Sequence, residues 1–331
     1  MRENRLPADW LDVMGRLPSL RAGVIGGGWQ IGAPGLIPYG GAPGAAFRLA
    51  ALRLGQVRLL TALGDDPASE HLRAWLDRAG VDVSGVWQEA GWRLPAAGDF
   101  RAAGLRQQVL SVEGEMALLS RLDPPPQAPP PQAPPPENWT VFSDLDVLVI
   151  VDPGGAGPSG ADDATGILTP RVLAALNAVA LHGAAPRLLV DSPRRPGVFD
   201  GMSRKLFPAD AARWLFPKRD PDAVGLDDFA SAALVPQVEC GCPQFILLDA
   251  GGCLVVTEGE SHFVPALPHL SPKAYRAGSG EAFLVGAAAA LAAGENGVEA
   301  AQLGFLAAAA MENHLGIPGA DIPQAMLALT Q

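Results

Sequence analysis

The stretch Ala277-Gly278-Ser279-Gly280-Glu281-Ala282-Phe283 runs straight into LVGAAAALAAG, and the rest of the chain is organised around it. Two glycines and a serine open a helix that is apolar on every side, which predicts burial along its length. Small residues at a helix start let backbone N–H groups approach a ligand closely. The orphan N–H groups and the helix dipole there favour an anion such as phosphate. Glu281 in the first turn either caps the helix or takes a proton from an attacking hydroxyl.

Working outward, the segments before this helix alternate between strand and helix, as in an α/β fold. Asp146–Val151 and Arg187–Val190 read as buried strands followed by Asp152 and Asp191. Phe245–Leu248 and Leu254–Val256 read as two more, around Asp249-Ala250-Gly251-Gly252. Thr169-Pro170 signals a helix start, and a second alanine-rich helix is expected near Val298–Asn313. Nearer the amino terminus, Gly40-Gly41-Ala42-Pro43-Gly44 enters a helix with Phe47, Ala50, Ala51 and Leu54 on one face, Arg48 and Arg53 elsewhere. A strand over 57–63 and Gly64-Asp65-Asp66-Pro67 follow, the latter starting a helix closed by Gly80.

Residues 83–122 change character. Runs such as Gln108–Val112 and Met116–Leu122 read as strand-like, which predicts either a small β lid over a site or an edge extension of the main sheet. PPPQAPPPQAPPP over 124–136 reads as an exposed polyproline spacer.

Composition excludes several classes. At 331 residues the chain can bury a large core, and its net charge of −11 with no Lys/Arg-rich run argues against a nucleic-acid surface. The longest apolar run, Ala282 to Ala293, falls about eight residues short of the roughly 20 that span a bilayer. The amino terminus, MRENRLPADWLDVMGRL, lacks a signal-peptide core, so a cytoplasmic protein is expected. Cys240, Cys242 and Cys253 form no disulfide framework, Cys240-Gly-Cys242 has the wrong spacing for a zinc knuckle, and no histidines stand at metal-ligand spacing. The glycines at 26, 27, 28 and 32 give GxGxxxG and miss the dinucleotide fingerprint by one residue.

Taken in order, these weak motifs resemble the ribokinase-like, or PfkB, carbohydrate kinases. The match runs Gly40-Gly41, Leu54-Gly55, Gly64-Asp65-Asp66, Leu76 and Gly80-Val81-Asp82, where the family reads GG, NxA, LG, GxDxxG, L and GVD. Ala277–Phe283 falls on the family's GAGD segment. Arg121-Leu122-Asp123 falls where heptose-phosphate kinases of the family carry an Arg-x-Asp. Gly166–Pro170 resembles their GxLTP, and Leu315–Pro318 their closing LGT.

The resemblance covers about residues 20–330, leaving 1–20 as an N-terminal extension. It implies a three-layer α/β/α sandwich with a mostly parallel central sheet and a β lid that pairs two subunits. It implies phosphoryl transfer from ATP, with Mg²⁺, to a sugar or sugar-phosphate hydroxyl. Glu281 would stand as base and Gly278, Ser279 and Gly280 as anion hole. Gly27, Gly40, Gly41, Arg121 and Asp123 would face the sugar, and Asp249 and Gly252 the nucleotide.

Departures from the family pattern are as informative. The sugar-binding aspartate falls at Gly27 and the asparagine after the double glycine at Ala46. The Mg²⁺-organising NxxE falls near Phe207-Pro208-Ala209-Asp210 without its asparagine. The threonine before the anion hole becomes Ala277, and the base lengthens from aspartate to Glu281. These changes keep a second reading open, that of a kinase-fold protein that binds a ligand or a partner, in a ligand-binding or regulatory role, without efficient transfer.

Overall fold

The computed structural model describes residues 10–30, 39–94, 110–122, 144–152, 166–181, 186–248, 251–267, 279–314 and 320–330. In chain order the first elements are α1 (Trp10–Arg16), β1 (Arg21–Gly26), β2 (Gly28–Gln30), β3 (Tyr39–Gly41), α2 (Ala42–Ala51), β4 (Gln56–Leu63), α3 (Pro67–Arg78), β5 (Val86–Gln88) and α4 (Val112–Leu122). Then come β6 (Val147–Val151), α5 (Pro170–Leu181), β7 (Arg187–Asp191), β8 (Ser203–Leu206), α6 (Pro208–Leu215), α7 (Leu226–Ala232) and α8 (Leu234–Cys240). The chain closes with β9 (Gln244–Leu248), β10 (Gly252–Thr257), β11 (Glu260–Pro265), α9 (Ser279–Ala292), α10 (Gly297–His314) and α11 (Ile322–Ala328).

Nine strands form one sheet in the order β11-β10-β9-β8-β7-β6-β1-β4-β5, and β2 pairs with β3 in a separate two-stranded layer. From β5 to β9 every pairing is parallel, and only β10 runs against its neighbours. Central strands read as continuous apolar runs because helices cover both faces. In β6, Val-Leu-Val-Ile-Val, all five residues are buried. Alternate side chains serve opposite layers: Val147, Val149 and Val151 join the core under α2, α9 and α10, whereas Leu148 and Ile150 join the one under α4 and α5. A third cluster, with Leu206, Ile246, Leu254 and Val256, lies under α6, α7 and α8. The result is a three-layer α/β/α sandwich.

Helix α9 is buried all round, as its sequence predicts. Phe283 fixes it from both sides, meeting Phe305 of α10 and Phe245 of β9 edge-on with ring centroids 5.1 and 6.1 Å away. Thr169 caps α5 as expected, its hydroxyl accepting from Val172 N at 3.3 Å.

Three expectations need correction. Within 83–122 the described residues form no β lid: β5 extends the edge of the main sheet, and Met116–Leu122 belongs to helix α4, which buries Leu118 and Leu119. The segment 10–20 is not a separate extension, because Trp10, Val13, Met14 and Leu17 sit in the main core and Arg16 bonds to Ala293 O and the Glu295 carboxylate. Arg48, placed off the packed face by helical spacing, is only 3% exposed. The polyproline stretch lies outside the described residues.

Candidate functional site

The strand order reverses direction at β1 and β6, so that a crevice opens beyond the carboxyl ends of these strands, the usual ligand position in an open α/β sheet. Helices α2 and α9 begin there, bringing together motifs that stand 240 residues apart. Gly41 N donates to Glu281 Oε1 at 2.8 Å. Ala42 N donates to Gly27 O at 2.9 Å, and Gly41 and Gly40 pair with Gly28 and Trp29 across the β2–β3 hairpin. Gly41, at φ 75°, adopts a backbone conformation that glycine tolerates best. Gly27, Gly40, Gly41, Gly280 and Glu281 thus line one neighbourhood.

Arg48 was the missing partner. Its Nη1 donates to Glu281 Oε2 at 2.6 Å, so both carboxylate oxygens are engaged by protein donors. Both side chains are buried, Glu281 at 8% and Arg48 at 3% exposure. Burial raises the Glu281 pKa, while the Arg48 guanidinium and Gly41 N–H act in the other direction and favour the ionised form. Asp191 adds to the rise and Lys205 opposes it. Room for the pair depends on Gly44: a Cβ there would stand 2.8 Å from Glu281 Oε2 and 2.9 Å from Arg48 Nη1.

A second cation flanks the start of α9. Lys205, on β8, donates to Asp191 Oδ2 at 2.8 Å and lies 4.4 Å from the Phe207 ring centroid. A Cβ built on Gly280 would meet Lys205 Nζ at 3.4 Å and Phe207 Cζ at 3.0 Å, so ammonium and ring both press on this first turn. An ammonium beside orphan helix N–H groups attracts an anion. Farther along the same edge, Asp152 is buried and takes Arg195 Nε at 2.7 Å and Ser192 Oγ at 2.8 Å.

The acids near α9 do not fit Mg²⁺. Glu281, Asp191 and Asp210 are already paired with Arg48, Lys205 and Arg213, and no three His, Cys, Asp or Glu side chains cluster among the described residues. Burial raises the Asp210 pKa, and Arg213 and Lys205 work against that.

The other expected site residues fall as follows. Ser279 is the first residue of α9, and Arg121 lies in the last turn of α4. Gly252 opens β10 on the same edge of the sheet, where a Cβ would strike the Phe263 ring at 2.4 Å. Gly278, Asp123 and Asp249 lie outside the described residues. Asp66, in the Gly64-Asp65-Asp66 motif, caps α3 by accepting from Ala68 N at 2.9 Å and Ser69 N at 3.1 Å. Sequence reasoning missed Arg48 and Lys205. For Arg48 the available signal was a lone cation amid residues otherwise suited to burial, Ala-Ala-Phe-Arg-Leu; Lys205 stands beside Arg204 in a short strand and carried no such signal.

No protein-family model and no curated protein sequence matches the chain. Solved structures do. The tetrameric inhibited form of phosphofructokinase-2 from Escherichia coli superposes with a TM-score of 0.60 at 16% identity, covering 94% of this chain and 100% of that one. A 2-dehydro-3-deoxygluconokinase from Thermotoga maritima gives 0.59 at 13%, with 94% and 100% covered. Arabidopsis thaliana ribokinase complexed with ribose and ATP gives 0.57 at 14%, with 94% and 99% covered. Identities this low carry architecture and not activity. The chain has the ribokinase-like fold, over nearly its whole length.

Proposed function

We propose that the chain is an ATP-dependent phosphotransferase acting on a sugar or sugar-phosphate hydroxyl. One observation carries the reading: an ionisable carboxylate, Glu281, stands in the first turn of the helix that starts at the sheet's crevice, with a cation on either side. In this scheme the phosphoryl group seats against the N–H groups of Gly278, Ser279 and Gly280, with Lys205 offsetting its charge. The acceptor hydroxyl lies along Gly27, Gly40 and Gly41. Its oxygen attacks the γ-phosphorus, the bond to the ADP oxygen breaks, and the hydroxyl proton passes to Glu281. Arg48 favours the ionised form of that buried carboxylate, the form able to accept it. Positioning and charge stabilisation supply most of the rate in such a transfer.

The same ion pair also favours the second reading. A substrate hydroxyl must share an oxygen already bonded to Arg48 or Gly41, and the described acids near α9, Glu281, Asp191 and Asp210, each already have a cation. A ribokinase-fold protein that binds a phosphorylated ligand and transfers little is consistent with both facts.

Calorimetric titration with ATP–Mg²⁺, followed by ADP release over a panel of sugars and sugar phosphates, separates the two. Sugar-dependent ADP release that falls about 10²–10⁴-fold in Glu281→Gln supports the base assignment. Release unchanged by that substitution refutes it. Binding of ATP with no sugar-dependent release selects the second reading.

A further inference from the structure

The other face of the sheet holds chemistry that the proposed reaction does not use. Arg204 sits there on β8, 4% exposed, one position before Lys205 and therefore on the other face. Its guanidinium donates to Pro196 O at 2.9 Å, Met202 O at 3.2 Å, Gln244 Oε1 at 3.3 Å and Phe199 O, and lies 4.8 Å from the Trp214 ring centroid. All these hydrogen-bond partners are neutral oxygens. A buried cation ordinarily has an anion against it, and the ionisable groups that act on Arg204 most are Cys240, Asp200 and Cys242. Asp200 is exposed to solvent, which leaves the two thiols as the sheltered groups.

Donors converge on one of those thiols. Cys240 ends α8, Gly241 turns the chain in the left-handed conformation at φ 65°, and Cys242 N comes back to donate to Cys240 Sγ at 3.3 Å. Gln244 links the two charges: its Oε1 accepts from Arg204 while its Nε2 lies 3.6 Å from Cys240 Sγ and 2.9 Å from Cys242 O. The carbonyl oxygens around Cys240 Sγ lie farther away, at 3.7 Å for Cys242 and 3.9 Å for Met202 and Gln237. Cys242 Sγ folds back to 3.3 Å from Cys240 O, so both sulfurs lie close to the same turn. Both cysteines are half-buried, whereas Cys253 is buried.

We propose that Cys240 and Cys242 form a reactive thiol pair that hydroperoxides oxidise to a disulfide, with Cys240 the attacking sulfur and Cys242 the resolving one. The Cys240 thiolate attacks one peroxide oxygen, the O–O bond breaks, and hydroxide (from hydrogen peroxide) leaves, giving a sulfenic acid. Cys242 sulfur, losing its proton, then attacks the Cys240 sulfur and expels water. Two thiols and one hydroperoxide thus become one disulfide, one alcohol or water, and one water. The Cys242 thiol hydrogen bond, Cys242 N–H and Arg204 together bring the Cys240 thiol down to about 6, while Cys242 is pushed up by its neighbour and by burial. Arg187 and Arg204 act on Cys242 in the opposite sense.

The test uses the full-length protein. Alkylation of Cys240 by iodoacetamide, followed by peptide mass spectrometry across pH, should reach half its maximal rate near pH 6. Cys242 and Cys253 should lag at every neutral pH. Hydrogen peroxide should remove about 2 Da from the peptide carrying both cysteines, and a dithiol should restore it. In Cys242→Ser, peroxide should leave a sulfenic acid on Cys240 that dimedone traps, and Cys240→Ser should trap none. A Cys240 profile centred near the ordinary thiol value of about 8.5, or peroxide treatment that leaves the dithiol mass unchanged, overturns the proposal.

Discussion

Two buried arginines lie on opposite faces of one sheet and settle their charge in different ways. Arg48, on α2, meets a carboxylate at 2.6 Å. Arg204, on β8, meets carbonyl oxygens, an amide and an indole ring, with a thiol beside the amide. The first arrangement is a closed ion pair, costly to form and costlier to break, because removal of one partner strands the other in a poorly solvating interior. The second is an open one, whose charge spreads over dipoles and can be completed by a thiolate. Ion pairing therefore stabilises the candidate site and restrains it, whereas the other face retains a group that can react.

The largest expected effect breaks the first pair. Arg48→Met should destabilise the protein by about 3–5 kcal/mol in urea unfolding, since Glu281 is then buried without its cation. Arg48→Met combined with Glu281→Met should recover most of that loss. Arg204→Met should cost less, about 1–3 kcal/mol, because it leaves carbonyls without a donor and a Cys240 thiolate that can take up a proton. If Arg204→Met proves as costly as Arg48→Met, the contrast between closed and open pairing fails.

A smaller perturbation leaves both charges in place. Gly44→Ala introduces a Cβ 2.8 Å from Glu281 Oε2, 2.8 Å from Tyr39 O and 2.9 Å from Arg48 Nη1. Backbone on one side and a closed ion pair on the other leave little room to yield, so a loss of about 1–3 kcal/mol is expected. Gly80→Ala is a useful companion. Its Cβ would meet nothing within 4 Å, and its cost would come from φ +80° alone.

Much of the architecture was legible because strand and helix periods differ so sharply here. β6 is apolar without interruption, α9 is apolar all round, and both occupy their expected spans. The misread helix α4 shows where that legibility stops. Gly114 lowers its helical propensity, yet glycine is needed there because a Cβ would lie 2.6 Å from Glu89 Oε2 and 2.7 Å from Trp87 Nε1. Local preference and tertiary packing disagree, and packing prevails. The glycine turns and Glu281 stand out in the sequence because small residues precede an apolar helix, yet the same pattern also suits a simple helix cap. Arg48 was not, because helical spacing alone assigned it to solvent and only the arrival of α9 explains its burial. Lys205 and Arg204 share that difficulty: adjacent cations in one strand show nothing in sequence about which face each serves.

The smallest effects concern pH and set two motif acids against each other. Glu281 is raised by burial from its usual 4.5. A carboxylate raised on folding contributes stability below its unfolded value and loses it as pH climbs through the folded one. Asp66 is lowered from 3.8: burial is the largest single influence and raises it, but the hydrogen bonds from the Ser69 hydroxyl and the Ser69 and Ala68 amides together outweigh it. Its contribution is present above 3.8 and disappears as pH falls through the lowered value. Urea unfolding across the acid range should therefore respond oppositely to two isosteric changes. Glu281→Gln should flatten the decline seen as pH rises from about 4.5. Asp66→Asn, which still caps α3, should flatten the decline seen as pH falls below about 3.8, whereas Asp66→Ala should lower stability by about 1 kcal/mol at neutral pH. Should Glu281→Gln instead flatten the acid-side decline, Arg48 and Gly41 together outweigh burial, and the carboxylate is held far more firmly ionised than its enclosure suggests.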